Sequence, residues 1–252
     1  MYLVEHAPRL KNRDKLERDL ALLLQHYAGR TLAELPAVAR EYACKHATTT
    51  APATVKVRLS YLRAACRWAW KVHGLGEHDP AERMTLPPVR NERHRYASRL
   101  EVLRLARAIG HRDARAVTLV AYYSGMRLAE CLRAEVTPAG WLLTDTKNGE
   151  RRLVPIHPRV QYLARRWPPA VPARTVQAWF LWATRYLGIA DLHFHDLRHS
   201  AASAMINAGV PLYTVGAVLG HKAAASTKRY SHLDTSTLAA AVGRIGTRKS
   251  VG

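Results

Sequence analysis

The segment His195-Asp-Leu-Arg-His199 places two imidazoles and a guanidinium close together, and Leu219-Gly-His221 and Arg229-Tyr230 follow it along the chain. Side chains three residues apart lie on one face of a helix, so His195 and Arg198 are predicted to project together. Tyrosine can act as a covalent nucleophile, and arginines can stabilise the charge that develops on a phosphoryl group. These are the groups that a tyrosine would need to attack a phosphodiester without a metal, and the remaining requirements have to be met elsewhere in the chain.

The composition is strongly basic. The 252 residues include 39 Lys and Arg against 19 Asp and Glu, a formal net charge of +20, and the basic residues are spread along the whole chain. Such a surplus favours a folded protein with a positive face that meets nucleic-acid phosphates. A ribosomal or chromatin protein could be equally basic, so the charge indicates only the class of partner.

The three cysteines, Cys44, Cys66 and Cys131, are too few and too scattered for a disulfide framework or a cysteine-based zinc site. Their apolar surroundings favour small buried side chains in a reducing compartment. The N-terminus shows no secretory signal, and no apolar run approaches the length of a membrane span. We therefore expect a soluble, cytoplasmic protein without a membrane partner.

The first ninety residues show helical periodicity. Four leucines recur at helical spacing, namely Leu16, Leu20, Leu23 and Leu24, and residues 35–45 continue the pattern. Residues 53–73 predict a longer helix, for which Thr48-Thr-Thr50 offers hydroxyl N-caps.

This longer helix is predicted to be amphipathic. Its apolar stripe is expected to comprise Val57, Tyr61, Ala65, Trp68 and Val72. Its other face carries Lys56, Arg58, Arg63, Arg67 and Lys71. A basic face of this kind fits a DNA backbone, although a face that only meets solvent has the same pattern.

A proline-punctuated basic segment without periodicity follows and predicts an interdomain linker. We expect a helical domain at residues 1–86, the linker at 87–97 and a second domain at 98–252. The residues expected to contact DNA in the first domain and the linker are Lys56, Arg63, Arg67, Lys71, Arg93 and Arg95.

The second domain is predicted to be mainly α with one small β-hairpin or sheet. Ser98 and Glu101 form a capping box at the start of a helix. Two β-prone runs flank Asn148-Gly149, a strong signal for a hairpin turn. Helical patterns resume from Thr175, with turns at Gly188, Gly209 and Gly220.

A metal site is a competing interpretation of the histidines, because His195 and His199 are four residues apart. A zinc-binding His-Glu-x-x-His pattern requires glutamate where this chain has Asp196, and no third ligand lies at a suitable spacing. We therefore expect no metal, and we expect His199 to pack against or cap its helix.

Two further basic residues are candidates for phosphate chemistry. Arg127 begins a helix, where the free N–H groups favour an anion, although a surface arginine paired with Glu130 fits equally well. Lys147 lies at the predicted hairpin tip, where most lysines only aid solubility.

Five segments in this order resemble the tyrosine recombinases, the phage integrase family. They are Ser124-Gly-Met-Arg-Leu-Ala-Glu130, Thr146-Lys-Asn-Gly149, His195-Asp-Leu-Arg-His-Ser200, Leu219-Gly-His221 and Arg229-Tyr-Ser-His232. The resemblance covers roughly residues 98–235. It implies a two-domain architecture, with a helical core-binding domain before an α-rich catalytic domain.

The resemblance also implies a role for each matching residue. Tyr230 would attack the scissile phosphate and form a 3′-phosphotyrosyl link. Arg127 and Arg198 would hold the non-bridging oxygens, and Lys147 would protonate the leaving 5′-oxygen.

His195 would assist proton movement at the tyrosine, His221 would donate a hydrogen bond to a phosphate oxygen, and Glu130 would orient an arginine or histidine. The covalent link conserves the energy of the phosphodiester bond, so the reaction would need no cofactor, neither ATP nor a metal ion.

The partner implied is double-stranded DNA, and the assembly implied is a homo-tetramer on two DNA sites, with a monomer expected in free solution. Residues 238–245 could form a helix that passes to a neighbouring subunit or packs on its own domain. The expected setting is the cytoplasm of a bacterial or archaeal host, at the nucleoid.

The leading interpretation is a site-specific DNA recombinase, an integrase, and three alternatives remain open. The same residues would serve a chromosome- or plasmid-dimer resolvase or a relative of type IB topoisomerases. A catalytically silent DNA-binding relative is the alternative without enzymatic activity. The intact set of candidate residues argues against it.

Overall fold

The protein is described from a computed structural model, which covers residues 1–10, 12–89, 95–144 and 151–221. The chain forms two compact units, Met1–Glu92 and Arg93–Gly252. We call them the N-terminal and the C-terminal unit. The division falls inside residues 87–97, but the functions assigned to the two domains stay predictions.

The N-terminal unit is helical. Its helices are α1 (Tyr2–Glu5), α2 (Arg13–Tyr27), α3 (Leu35–Lys45) and α4 (Pro52–His73). The core lies among α2, α3 and α4, and it includes the buried side chains Leu16, Leu20, Leu23, Val38, Tyr42, Val55, Leu59 and Leu62. Leu24, which shares the leucine periodicity, is half-exposed at 52%.

Two details predicted for α4 are wrong. Its N-cap is Ala51, without a side-chain hydrogen bond, and Pro52 occupies the first turn, where the missing N–H costs nothing. The buried stripe is Val55, Leu59 and Leu62, whereas Val57 is 39% exposed and Val72 is 57% exposed. Both stripes have helical spacing, and packing against α2 and α3 decides which one is buried.

Seven helices form most of the described C-terminal unit. They are α5 (Arg99–Ala108), α6 (Arg112–Ser124), α7 (Leu128–Arg133), α8 (Gln161–Ala164), α9 (Ala173–Tyr186), α10 (Asp196–Asn207) and α11 (Leu212–Leu219). Helix α6 is central, because it packs against α5, α9 and α10. The predicted capping box of Ser98 and Glu101 is present at the start of α5.

A small antiparallel sheet accompanies these helices. Its order is β1 (Glu135–Thr137), β2 (Gly140–Leu143) and β3 (Arg152–Val154). Trp141 pairs with Val154, and both side chains are buried in the core. The sequence predicts the two strands of the hairpin but not β1. The mainly α architecture with a small sheet is confirmed.

The chain that enters the C-terminal unit is fixed to α10. The hydroxyl of Ser200 accepts a hydrogen bond from the amide of Ala97 at 2.7 Å and donates one to the carbonyl of Asp196 at 2.7 Å.

In the described parts of the chain, no helix is both long and apolar enough to cross a membrane.

Candidate active site

Arg127 is positioned by the turn between α6 and α7. Gly125 ends α6 in the left-handed region, at a φ of 67°, and Ser124 accepts a hydrogen bond from the amide of Met126. Arg127 is then the N-cap of α7. Its amide and its Nη1 donate to the two carboxylate oxygens of Glu130, at 2.9 and 2.7 Å. A carboxylate at this position also favours the helix N-terminus.

Arg198 is buried, with 3% of its surface exposed, near the start of α10. Its Nη1 donates to the carbonyl of Gly125 at 2.7 Å, and its Nη2 donates to the carbonyl of Leu219 at 2.5 Å. Its Nη1 also lies 3.9 Å from Oε2 of Glu130. One guanidinium therefore joins three of the motif segments, which are far apart in the sequence.

The close approach of the Leu219 side chain to Gly125 supports the same junction. A Cβ atom added at Gly125 would lie 2.5 Å from Cδ2 of Leu219. Glycine is therefore required there both by its positive φ and by the approach of α11.

Glu130 is the buried anion of the cluster, with 5% of its surface exposed. Burial alone would raise the pKa of its carboxyl. The hydrogen bond from the Arg127 amide and the charges of Arg152 and Arg127 outweigh burial, so the pKa lies below its usual value. The group is therefore a carboxylate at neutral pH, and it attracts the surrounding guanidiniums.

The candidate histidine His195 begins α10, the helix that carries Arg198, and His221 follows α11. His195 is the N-cap of α10 and is exposed, and its ring meets that of buried His199 edge-on, with centroids 5.1 Å apart. His195 is exposed, whereas Arg198, three residues further along, is buried. His221 follows the C-cap of α11, and its amide donates to the carbonyl of Gly216.

Lys147, Tyr230 and Arg93 lie outside the described residues. Within the described residues, the structure brings together Arg127, Glu130 and Arg198. Their catalytic and supporting roles, and those of His195 and His221, stay predictions.

Arg152, on β3, is a member of the cluster that the sequence analysis missed. Its Nη2 donates to Oε2 of Glu130 at 2.8 Å. Burial lowers its pKa, and the charge of Glu130 opposes that shift. Strand alternation carried a signal, because Arg152 shares a strand face with buried Val154 while Leu153 is exposed.

The basic residues predicted to meet DNA differ in their surroundings. On α4, Lys56, Arg63, Arg67 and Lys71 follow one flank by helical spacing. Arg67 donates to Asp79 at 2.7 Å, so part of its charge is already neutralised. The same holds for Arg95, whose side chain donates to Glu101 and to the carbonyl of Tyr96.

Among the described residues, no group of three or more His, Cys, Asp and Glu side chains is placed to hold a metal ion.

The phage integrase family matches this chain over residues 100–237, which is more than half of its length. Among curated proteins, the shufflon-specific DNA recombinase of Escherichia coli is 29% identical over 71% of this chain. The chain spans only about half, 51%, of that protein. The tyrosine recombinase XerC of Xanthomonas campestris is 29% identical over 90% of this chain and 80% of its own length.

Solved structures share the fold. A lambda integrase dimer bound to a COC′ core site has a TM-score of 0.70 at 16% identity, covering 91% of this chain and 75% of that chain. The Tn1549 transposon integrase in complex with circular intermediate DNA has a TM-score of 0.67 at 17% identity, covering 90% and 92%. The family match contains all five motif segments, so the predicted family is confirmed. The chain belongs to the phage integrase family, the tyrosine recombinases.

Proposed function

We propose that the protein is a site-specific DNA recombinase that cleaves and rejoins strands through a covalent 3′-phosphotyrosyl intermediate, without metal or ATP. The observation that carries this proposal is the cluster of Arg127, Arg152 and Arg198 around the buried carboxylate of Glu130.

The charge of this cluster suits a phosphodiester. Three guanidiniums against one carboxylate leave two positive charges. A phosphodiester carries one negative charge, and a second one accumulates on its oxygens as a nucleophile adds. Fixed cations at that position stabilise the transition state more than the ground state.

In the proposed reaction, the phenol oxygen of Tyr230 bonds to phosphorus and the bond to the 5′-oxygen breaks. His195 assists the departure of the phenol proton, and Lys147 gives a proton to the leaving 5′-oxygen. The free 5′-hydroxyl of another strand then attacks the phosphotyrosine and releases the tyrosine.

Arg127 and Arg198, which we call the phosphate clamp, hold the two non-bridging oxygens, and His221 donates a further hydrogen bond to one of them. The hydrogen bonds from Arg198 to the carbonyls of Gly125 and Leu219 support this role, because they fix the plane of its guanidinium. A clamp that is already in place needs no reorganisation during the reaction.

The proposed partner is double-stranded DNA, which residues 1–86 and the linker at 87–97 help to bind. The proposed assembly is a homo-tetramer on two DNA sites that forms from a monomer in solution. Lambda integrase supports this proposal, since it has been solved as a dimer on a core site and as a tetramer on a Holliday junction. The proposed location is the cytoplasm of a bacterial or archaeal host, at the nucleoid.

Resolution of chromosome or plasmid dimers is the second candidate role. The similarity to XerC along 90% of the chain favours it, whereas the integrase role rests on the name of the matching family. Both roles use the same chemistry at Tyr230.

The test is a nicked DNA duplex, with EDTA present, that carries the repeat recovered from the DNA flanking the gene. We expect a covalent protein–DNA adduct that survives SDS. Tyr230→Phe should abolish the adduct and keep DNA binding, because only the nucleophilic hydroxyl is removed. Tyr213→Phe is the matched control, since Tyr213 is 89% exposed on α11. An adduct that persists in Tyr230→Phe, or none with the unchanged protein, refutes the proposal.

A further inference from the structure

Arg152 connects three parts of the site, although none of the five motif segments contains it. It lies on β3, it donates to Glu130, and its guanidinium packs against Gly220 of the Leu219–His221 turn. We infer that Arg152 is a positioning residue that holds the phosphate clamp in its working geometry. The inference rests on the proposed function.

The two carboxylate oxygens of Glu130 have different donors. Its Oε1 accepts from Nη1 of Arg127 at 2.7 Å. Its Oε2 accepts from the amide of Arg127 at 2.9 Å and from Nη2 of Arg152 at 2.8 Å. Arg198, at 3.9 Å, is beyond hydrogen-bond distance. Arg152 is therefore the only guanidinium within the described residues that donates to Oε2.

Without Arg152, Oε2 of Glu130 would keep only the amide of Arg127 as a donor. A buried carboxylate that loses one of its charged partners recruits another donor, because an incompletely compensated buried charge is unfavourable. The nearest guanidiniums are those of the phosphate clamp, Arg127 and Arg198. Turning them toward Glu130 would take their donors away from the phosphate. Arg152 thus satisfies Oε2 of Glu130, so that Arg198 and the N–H groups of Arg127 that do not bond to Glu130 remain directed to the DNA.

Arg152 also packs against the Leu219–His221 turn. Gly220 has a φ of 68°, and a Cβ atom added there would lie 3.0 Å from both Cδ and Cζ of Arg152 and would also contact its Nη1. The residue before Gly220 accepts the hydrogen bond from Arg198, and the residue after it is His221. Arg152 therefore sets the position of this turn against Glu130.

Burying the Arg152 side chain also destabilises the fold. The side chain of Arg152 is 12% exposed, and its Nε is buried without a hydrogen-bond partner. A buried donor without an acceptor destabilises a fold. If this position only had to be filled, an apolar side chain would stabilise the fold more. The guanidinium is therefore explained by its contacts with Glu130 and with Gly220.

The experiment measures single-turnover cleavage of the nicked duplex at saturating protein and, separately, the Kd for the same DNA. Arg152→Met removes the charge and keeps a long side chain. We expect the cleavage rate to fall roughly tenfold to 100-fold, as for other groups that orient a reacting side chain. The Kd should change less than about twofold, because the clamp meets a single phosphate among many.

Two variants sharpen this reading. Arg152→Lys should recover part of the rate, because an ammonium can still pair with Glu130. It also keeps the test usable if Arg152→Met does not fold. Arg151→Met is the matched control, since Arg151 is exposed on the neighbouring position. It should leave the cleavage rate unchanged.

A double-mutant cycle tests the route through Glu130. In a Glu130→Gln background, Arg152→Met should lower the rate by less than about twofold further, since both act on the same contact. Independent, multiplied effects would overturn the inference. So would a normal cleavage rate in Arg152→Met, or an equal loss of binding and cleavage. If the unchanged protein forms no adduct, the proposed function fails, which is a different result.

Discussion

Gly220→Ala is a direct test of the contact between the Leu219–His221 turn and Arg152. Two costs are expected. The first is conformational, because a φ of 68° is unfavourable for alanine by about 1–2 kcal/mol. The second is steric, because the new methyl group would meet Nη1, Cδ and Cζ of Arg152.

The steric cost depends on whether Arg152 can move aside. An exposed arginine would swing away, but this one is nearly buried and bonded to Glu130 at 2.8 Å. Moving it breaks a buried ion pair, and keeping it forces overpacking, which costs about 1–3 kcal/mol. The total loss expected for Gly220→Ala is about 2–5 kcal/mol.

Gly188→Ala supplies the control. Gly188 follows α9 with a φ of 64°, and no atom lies within 4 Å of a Cβ added there. It should show the conformational cost alone, about 1–2 kcal/mol. Urea unfolding of the full chain, followed by circular dichroism, measures both losses.

Removing Arg152 completes the test. In an Arg152→Ala background, the steric excess of Gly220→Ala over Gly188→Ala should disappear, because the obstacle is gone. Equal losses for the two glycine variants in the unchanged protein would refute the reasoning. An excess that survives without Arg152 would place the obstacle elsewhere.

Two further predictions concern charge. Because the pKa of Glu130 lies below its usual value of 4.5, its contribution to stability is fully present above that pH and is lost as the pH falls through the lower folded-state pKa. Glu130→Gln should therefore lower the melting temperature more at pH 7 than at pH 3, and an equal loss at both would contradict this. On α4, Lys71→Ala should weaken DNA binding uniformly across sequences and reduce the slope of log K against log salt by about 1. An unchanged slope would exclude Lys71 from the DNA contacts.

Local sequence signals predicted most elements of the C-terminal unit. The capping box of Ser98 and Glu101 marks the start of α5, and Gly220 marks the end of α11. These signals act within one turn of a helix, so they need no tertiary information. Helix α4 shows the limit of these local signals, because two apolar stripes share the same spacing and only tertiary packing selects the one that is buried.

As with the fold, local sequence signals predicted only the part of the site that lies within one segment of the chain. The pairing of Arg127 with Glu130 follows from their spacing and is present in the structure, whereas the binding of a phosphate by Arg127 stays a prediction. The contacts of Arg152 depend on the register of β2 against β3 and on the packing of Gly220, at the end of α11, against its side chain. No window of sequence contains those partners together.

The hydrogen bonds of Arg198 have a consequence for when the clamp forms. Its acceptors, Gly125 and Leu219, are 73 and 21 residues away along the chain, and Ser200 bonds to Ala97 across 103 residues. Contacts over such separations form only after long loops have closed. A chain whose synthesis has not yet passed Leu219 therefore has no assembled clamp. Under the proposed function, the ability to break DNA is confined to the completely folded molecule.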